Sequence, residues 1–451
     1  MDEATRYRAL VAFLGLLLLA GGGSRADITS LVFLRPVAFA LLAYAILSLP
    51  GQAVVRARGP MLLLAAFAML IGLQLVPVPP AVWGALPQRE IFSQMYEDAQ
   101  VALPWQPLGL APSRGLNALM ALAVPAGVLL LQSGLSAGRR RQVYLAILGG
   151  VAFSAVWGLL QILGPANGPL YTFRITNSGL PVGFFANRNH QGLAISFGIL
   201  LSFYWFASSL ANRRLTSLVA AAAGGLVIVL LMFLLVVGSR AGLLLGTAML
   251  GPGALMVVRA LEIRRRPNDP TIWSNRTYRT GFAAFIASVA TVFAGALVFS
   301  RSLAFDRLVG KSMGDELRAE VLPALLNLTG KYLPLGTGFG AFEGAYRRAE
   351  PLHLLSPSYL NHAHNDWIEI VIEGGIPAIL LMVAFAAWFT RRAVPIVFAK
   401  RAEFNFEAFT AVVIIVACGI ASLVDYPLRV PTLAAVFAIA CASLALSSRR
   451  T

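Results

Sequence analysis

The stretch His362-Ala363-His364-Asn365-Asp366-Trp367 runs without a break into the apolar segment 367–389. Two of the four histidines in the chain therefore stand at the mouth of a run long enough to cross a bilayer. Working outward, apolar runs of about 18 to 24 residues recur along nearly the whole chain. Their limits are 9–23, 30–49, 60–76, 115–133, 143–163, 190–211, 215–237, 241–258, 281–300, 367–389, 407–424 and 430–447. The expected fold class is all-α, a polytopic integral membrane protein with about 12 transmembrane helices, forming one membrane domain over 1–451. Composition agrees, because 58% hydrophobic residues, 12% charged residues and a mean hydropathy of +0.75 lie outside the soluble range. The first run follows Arg6 and Arg8 in the manner of a signal peptide, but eleven further runs favour a retained anchor.

A net charge of +16 would suggest nucleic acid in a soluble chain. Here the basic residues sit in short loops between runs, so topology explains them and no nucleic-acid partner is expected. Arg6/Arg8, Arg56/Arg58, Arg139-Arg140-Arg141, Arg213-Arg214, Arg264-Arg265-Arg266, Arg391-Arg392, Lys400-Arg401 and Arg449-Arg450 fall on alternate loops. The positive-inside rule makes those loops, and both termini, cytoplasmic. The opposite loops then face outward, which in a bacterium means an inner-membrane protein with its polar segments in the periplasm. Cys418 and Cys441 both fall in apolar runs and suggest neither a disulfide nor a zinc site.

The outward loops carry the unusual residues. Segment 77–114 is rich in Pro and Trp and reads as an irregular loop with a short interfacial helix near Ile91 to Ala102. Segment 301–366 is long enough for a few helices over the membrane, one of them spanning Arg318 to Leu328. Next comes Pro334-Leu-Gly-Thr-Gly-Phe-Gly340, whose glycines permit tight turns and close backbone approach but lack the Lys and Ser/Thr of a nucleotide loop.

Taken together, Asn361-His-Ala-His-Asn-Asp366, Glu373-Gly-Gly-Ile-Pro377, Phe184-Phe-Ala-Asn-Arg-Asn-His190, Gly238-Ser-Arg240 and Pro334-Leu-Gly-Thr-Gly338 resemble the O-antigen ligase and O-antigen polymerase superfamily. The resemblance covers roughly 140–430. The ligase pattern asks for Gly, Thr or Tyr where this chain has Ala378, which leans the reading toward a polymerase of surface polysaccharide while keeping both.

This resemblance implies a GT-C type membrane glycosyltransferase with a periplasmic helical cap. The donor would be a glycan on undecaprenyl pyrophosphate, and the acceptor hydroxyl would lie on lipid A core or on a second lipid-linked glycan. Membrane lipids and polysaccharide assembly proteins are the other expected partners. Physical chemistry supports the same assignment. A departing pyrophosphate needs its growing charge stabilised, and fixed arginines do this through bidentate hydrogen bonds without metal, ATP or cofactor. Arg188, Arg240 and Arg318 are the candidates. The acceptor hydroxyl must lose a proton as it attacks C1, with inversion expected, and the imidazole of His364 is suited to receive it. His364 can also be read as a pyrophosphate ligand. Asn365 or Asp366 would orient its ring, and His362, His190, Asn187 and Arg429 complete the expected substrate-binding set.

Other readings compete residue by residue. Arg188 and Arg318 suit interface anchors, and His190 and His364 suit helix caps. Asp425, Tyr426 and Arg429 lie on the last outward turn, where Asp425 and Arg429 are spaced either to pair with each other or to line the site. His362-x-His364 with Asp366 has the donor types of a metal site, though alternate residues share a face only on a strand. Arg35, inside the second run, calls for a partner or a role, and the sequence names none. For the whole chain, a lipid-linked oligosaccharide flippase or polysaccharide transporter also has about this many helices, but usually as two related halves, and no internal repeat is visible here.

Overall fold

A computed structural model describes residues 2–264, 313–355, 360–400 and 403–447, with side chains from 320 onward in the second segment. Helices occupy eleven of the twelve expected positions; the twelfth, 281–300, lies outside the described residues. Eight helical stretches are long and apolar enough to cross a membrane: Leu31–Ser48, Gly51–Gln74, Pro112–Ser133, Ala137–Leu163, Arg188–Ala211, Ser217–Val237, Arg240–Arg264 and Asp366–Val397. Phe406–Ala421 and Pro431–Leu446 are apolar but shorter, and Glu3–Ala20 precedes them all. The only sheet among the described residues pairs Pro77 with Pro107 and Val78 with Gln106. It closes the 77–114 loop around the helices Pro80–Gly84 and Glu90–Asp98.

Arg188–Ala211 is the hub of the bundle. It packs against Ala137–Leu163, Ser217–Val237, Arg240–Ala248, Leu250–Arg264 and Phe406–Ala421, and 89% of its most apolar window is buried. Small residues make that enclosure feasible. A Cβ on Gly192 would lie 2.9 Å from the Gly242 Cα, so the two helices cross backbone against backbone. The hydroxyls of Ser196 and Ser202 bond back to the carbonyls of Gly192 and Gly198, which keeps polar atoms satisfied inside an apolar core.

Helix Asp366–Val397 is broken at Gly375, where φ is +59° and ψ −148°. A break in an intramembrane helix frees backbone groups that lipid cannot satisfy. Segment Pro334–Gly340 satisfies them. Ile376 N donates to Pro334 O (2.8 Å), Thr337 N to Ile372 O (2.9 Å) and Gly338 N to Glu373 O (2.9 Å). A Cβ on Gly375 would sit 2.1 Å from Pro334 O, and one on Gly336 2.5 Å from Glu373 O, so only glycines fit on either side. Gln74 ties a third element in, donating to Glu373 O (3.0 Å) and accepting from Phe339 N (3.0 Å). Over this clasp lies a second apolar core, where Val321, Leu325 and Leu328 of helix Met313–Tyr332 meet Phe342, Tyr346, Leu354 and Ile372.

Candidate functional site

Three of the four histidines converge at one end of the bundle. Their rings surround Tyr426, with centroids at 4.4 Å (His362), 5.0 Å (His364) and 5.3 Å (His190). Tyr426 lies in the turn between Phe406–Ala421 and Pro431–Leu446, and its hydroxyl meets the side chains of Asn187 and Ser24. Burial and the neighbouring Asp425 push that phenol well above its ordinary value.

Asp425 is the acid at the centre. Its Oδ1 is 3.6 Å from both His190 Nε2 and His364 Nδ1, an electrostatic contact longer than a hydrogen bond. Its Oδ2 accepts from Asn189 Nδ2 at 2.8 Å, and Tyr426 N donates to Oδ1 at 2.9 Å. Burial alone would raise the Asp425 carboxyl, but the facing imidazoles of His190 and His364 hold it well below the usual carboxylate range. His364 adopts a left-handed φ of +50°, a conformation in which histidine is over-represented but still uncommon. Its side chain is 23% exposed, whereas that of His190 is only 2% exposed. His364 can therefore meet a substrate while His190 backs the same carboxylate from inside.

Two arginines stand beside this group, each the first residue of a helix. Asn187 caps Arg188–Ala211, and Ser239 caps Arg240–Ala248 by accepting from Gly242 N. A Cβ on Gly238 would lie 3.9 Å from Arg188 Nη1, so the Arg188 guanidinium borders the 238–240 turn. A hydrogen-bond chain joins that turn to the acid: Ser239 Oγ donates to Asn189 Oδ1 (2.9 Å), and Asn189 donates to Asp425. Two helix N-termini, each with an arginine, form a surface suited to an anion. The side chain of Arg318 lies outside the described ones.

A second cluster lies beside the first. Asp366, Glu369 and Glu373 follow one another at i, i+3 and i+7, so they share a helix face, and all three are buried. Arg429 bonds Asp366 Oδ1 through Nε (2.9 Å) and reaches Glu369 Oε1 and Glu373 Oε2 through Nη2 (3.2 Å each). Glu369 also pairs with His362 Nδ1 (2.8 Å) and accepts from Ala363 N (2.6 Å). Glu373 accepts from Gly340 N and Phe342 N, which couples the cluster to the clasp.

These contacts correct one expectation, the orienting role of Asn365 or Asp366, and weigh against two of the competing readings. Asp425 and Arg429 do not pair with each other, because the Arg429 side chain points to the acids of the neighbouring helix and Asp425 to the histidines. Neither Asn365 nor Asp366 orients His364. Asn365 caps its own helix through Ile368 N (3.1 Å), Asp366 is held by Arg429, and Asp425 takes the place assigned to them. His362, His364 and Asp366 also fail to converge as a donor set, since each faces a different partner. Sequence reasoning does not reach Glu369 or Gln74, and it gives Glu373 and Tyr426 no role of their own. Charged residues inside an apolar run were the available signal for the two glutamates.

The fold and this end of it define a multi-span helical membrane protein with acid-base groups and arginines gathered at a bundle mouth. Residues 225–383, about a third of the chain, match the family model described as O-antigen ligase. That match is narrower than 140–430. It contains the Gly238–Arg240, Pro334–Gly340 and His362–Asp366 motifs but not His190, Asp425 or Arg429. A comparison with curated proteins finds no match.

Proposed function

We propose that the chain is a glycosyltransferase that moves a glycan from undecaprenyl pyrophosphate to an acceptor hydroxyl, with His364 as general base and Asp425 as the acid that positions it. The observation carrying this reading is His364, partly exposed, with the buried Asp425 carboxylate behind its Nδ1. That arrangement leaves Nε2 for the incoming hydroxyl, and catalytic contacts that are long without substrate commonly tighten when it binds. As the hydroxyl attacks C1, its proton passes to His364 and the sugar-phosphate bond breaks with inversion. The departing pyrophosphate carries the bonding electrons away, and Arg188 and Arg240 meet its charge. Arg318 is proposed as a third phosphate ligand, and Arg429 as the group that holds the acidic helix face in place.

The site is proposed to face the periplasm of a bacterial inner membrane, with both termini cytoplasmic. Purified protein given a lipid-linked glycan and either acceptor, with EDTA and no nucleotide, tests the reading. Glycan on lipid A core would make it a ligase, and extension of the lipid-linked glycan a polymerase. Absence of transfer together with donor movement across proteoliposomes would replace this reading with a flippase.

A further inference from the structure

We propose that the groove around Arg35 is a second binding site, separate from the histidine cluster, which takes the phosphate group of a lipid lying in the adjacent leaflet. Arg35 is on Leu31–Ser48, a helix whose neighbouring side chains face outward: Val32, Phe33 and Val37 are 73%, 64% and 41% exposed. A charge on such a surface is costly unless it finds an anion or water. Among the described residues no acid pairs with Arg35, and its Nε is buried without a hydrogen-bond partner. Beside it opens a cavity of about 510 Å³, lined by Ala26, Asp27, Ile28, Thr29, Val32 and Arg35 among others.

Depth and charge both fit a lipid phosphate. Arg35 is the fifth residue of its helix, so at 1.5 Å per residue it lies roughly 6 Å from the helix start, close to headgroup level. The one acid in the groove, Asp27, is already held by both oxygens on Arg25, at 2.9 and 3.1 Å. Arg174 adds a further positive charge near Asp27. Arg25 and Arg174 therefore offset Asp27, and the Arg35 guanidinium that lines the cavity presents the forked donors that phosphate accepts. An arginine that merely snorkels would leave its Nε to water; here that one donor is shut off from solvent and unpartnered while the side chain lines the cavity. The site is also close to the transfer centre. Ser24 precedes the groove by two residues and meets Tyr426, and Gly21 O and Gly22 O accept from Thr432 N and Ala186 N.

The test uses the full-length protein in lipid nanodiscs, with photoreactive phosphatidic acid and a phosphate-free photoreactive diacylglycerol of the same chains. Crosslinked peptides are then mapped by mass spectrometry. Phosphatidic acid should label 26–36 while diacylglycerol does not; Arg35→Gln should lower that labelling by roughly fivefold or more, and Arg35→Lys by less. Labelling elsewhere, on Ser217–Val237, should stay unchanged. Equal labelling by the two probes, or labelling that survives Arg35→Gln, would overturn the proposal. So would complete displacement by millimolar inorganic phosphate, which would make the groove a site for the free ion. If Arg35→Gln does not fold, the wild-type comparison of the two probes decides alone. Because the readout is binding, a negative result here leaves the transfer reading untouched.

Discussion

At one end of the bundle, Arg140 meets Glu407 in a two-bond pair at 2.5 and 3.2 Å, and Glu3 accepts from the backbone and hydroxyl of Ser136. At the other end, one arginine is shared by three carboxylates and one carboxylate by two imidazoles. The first arrangement joins elements far apart in sequence and leaves little to exchange. In the second, Asp366 Oδ2, both nitrogens of His190 and His364 Nδ1 are buried without hydrogen-bond partners. Such atoms occur at the first end too, at Arg141 Nε and Gln132 Oε1, so the difference between the ends lies in how the charges are shared. The contrast separates charges that pair one to one from charges that several groups share, and the proposed chemistry rests on the second kind.

The contrast is broken most directly at His364 and Asp425. His364→Ala and Asp425→Asn should each lower the transfer rate by about 10²–10⁴-fold, the range of a lost or misoriented general base, the first with the melting temperature nearly kept and the second with it lowered, because the Asp425 carboxylate also stabilises the fold. Wild-type rates from either variant would end the assignment. Arg429→Ala leaves three buried carboxylates facing one another and should cost about 3–5 kcal/mol, seen as a marked fall in thermal stability in detergent. Arg240→Ala should lower turnover by about 10²–10³-fold, and Arg240→Lys should recover little if bidentate contact with phosphate matters.

Smaller effects sharpen the same comparison. Arg140→Ala should cost about 1–2 kcal/mol, because its pair is only partly buried, and should leave turnover unchanged. The pH dependence of unfolding gives the smallest signal. The Asp425 carboxyl is depressed in the folded protein, so its stabilisation is complete above its unfolded value of about 3.9 and is lost as pH falls through the lower folded value. Stability measured from pH 7 down to pH 3 should fall less steeply in Asp425→Asn than in wild type.

Much of the fold was legible because lipid imposes a simple rule: a run of about 20 apolar residues becomes a helix. The eleven described helices therefore begin and end close to the expected limits, with the largest shift at Gly51–Gln74, which starts nine residues before the expected 60. The histidines were legible as a cluster for a similar reason, since polar residues at a span end are few and conspicuous. Their partners were not. Asp425 is over 200 residues from His190, and its role depends on which helices lie side by side, something hydropathy does not carry. Gln74 shows the same limit, because its contacts with Glu373 and Phe339 cross some 260 to 300 residues of chain. The Pro334–Gly340 glycines signal close backbone approach in the sequence itself, but the backbone they approach, the break at Gly375, appears only once the chain is folded.

The enclosure of Arg188–Ala211 bears on how the protein is made. One of the helices that walls it in, Phe406–Ala421, begins 218 residues after it starts, counting from 188 to 406. During synthesis from the N-terminus the hub must therefore wait with the flank that Phe406–Ala421 later covers still uncovered by it. Assembly of the histidine end is correspondingly late, because Asp425 arrives with the same final hairpin that completes the wall.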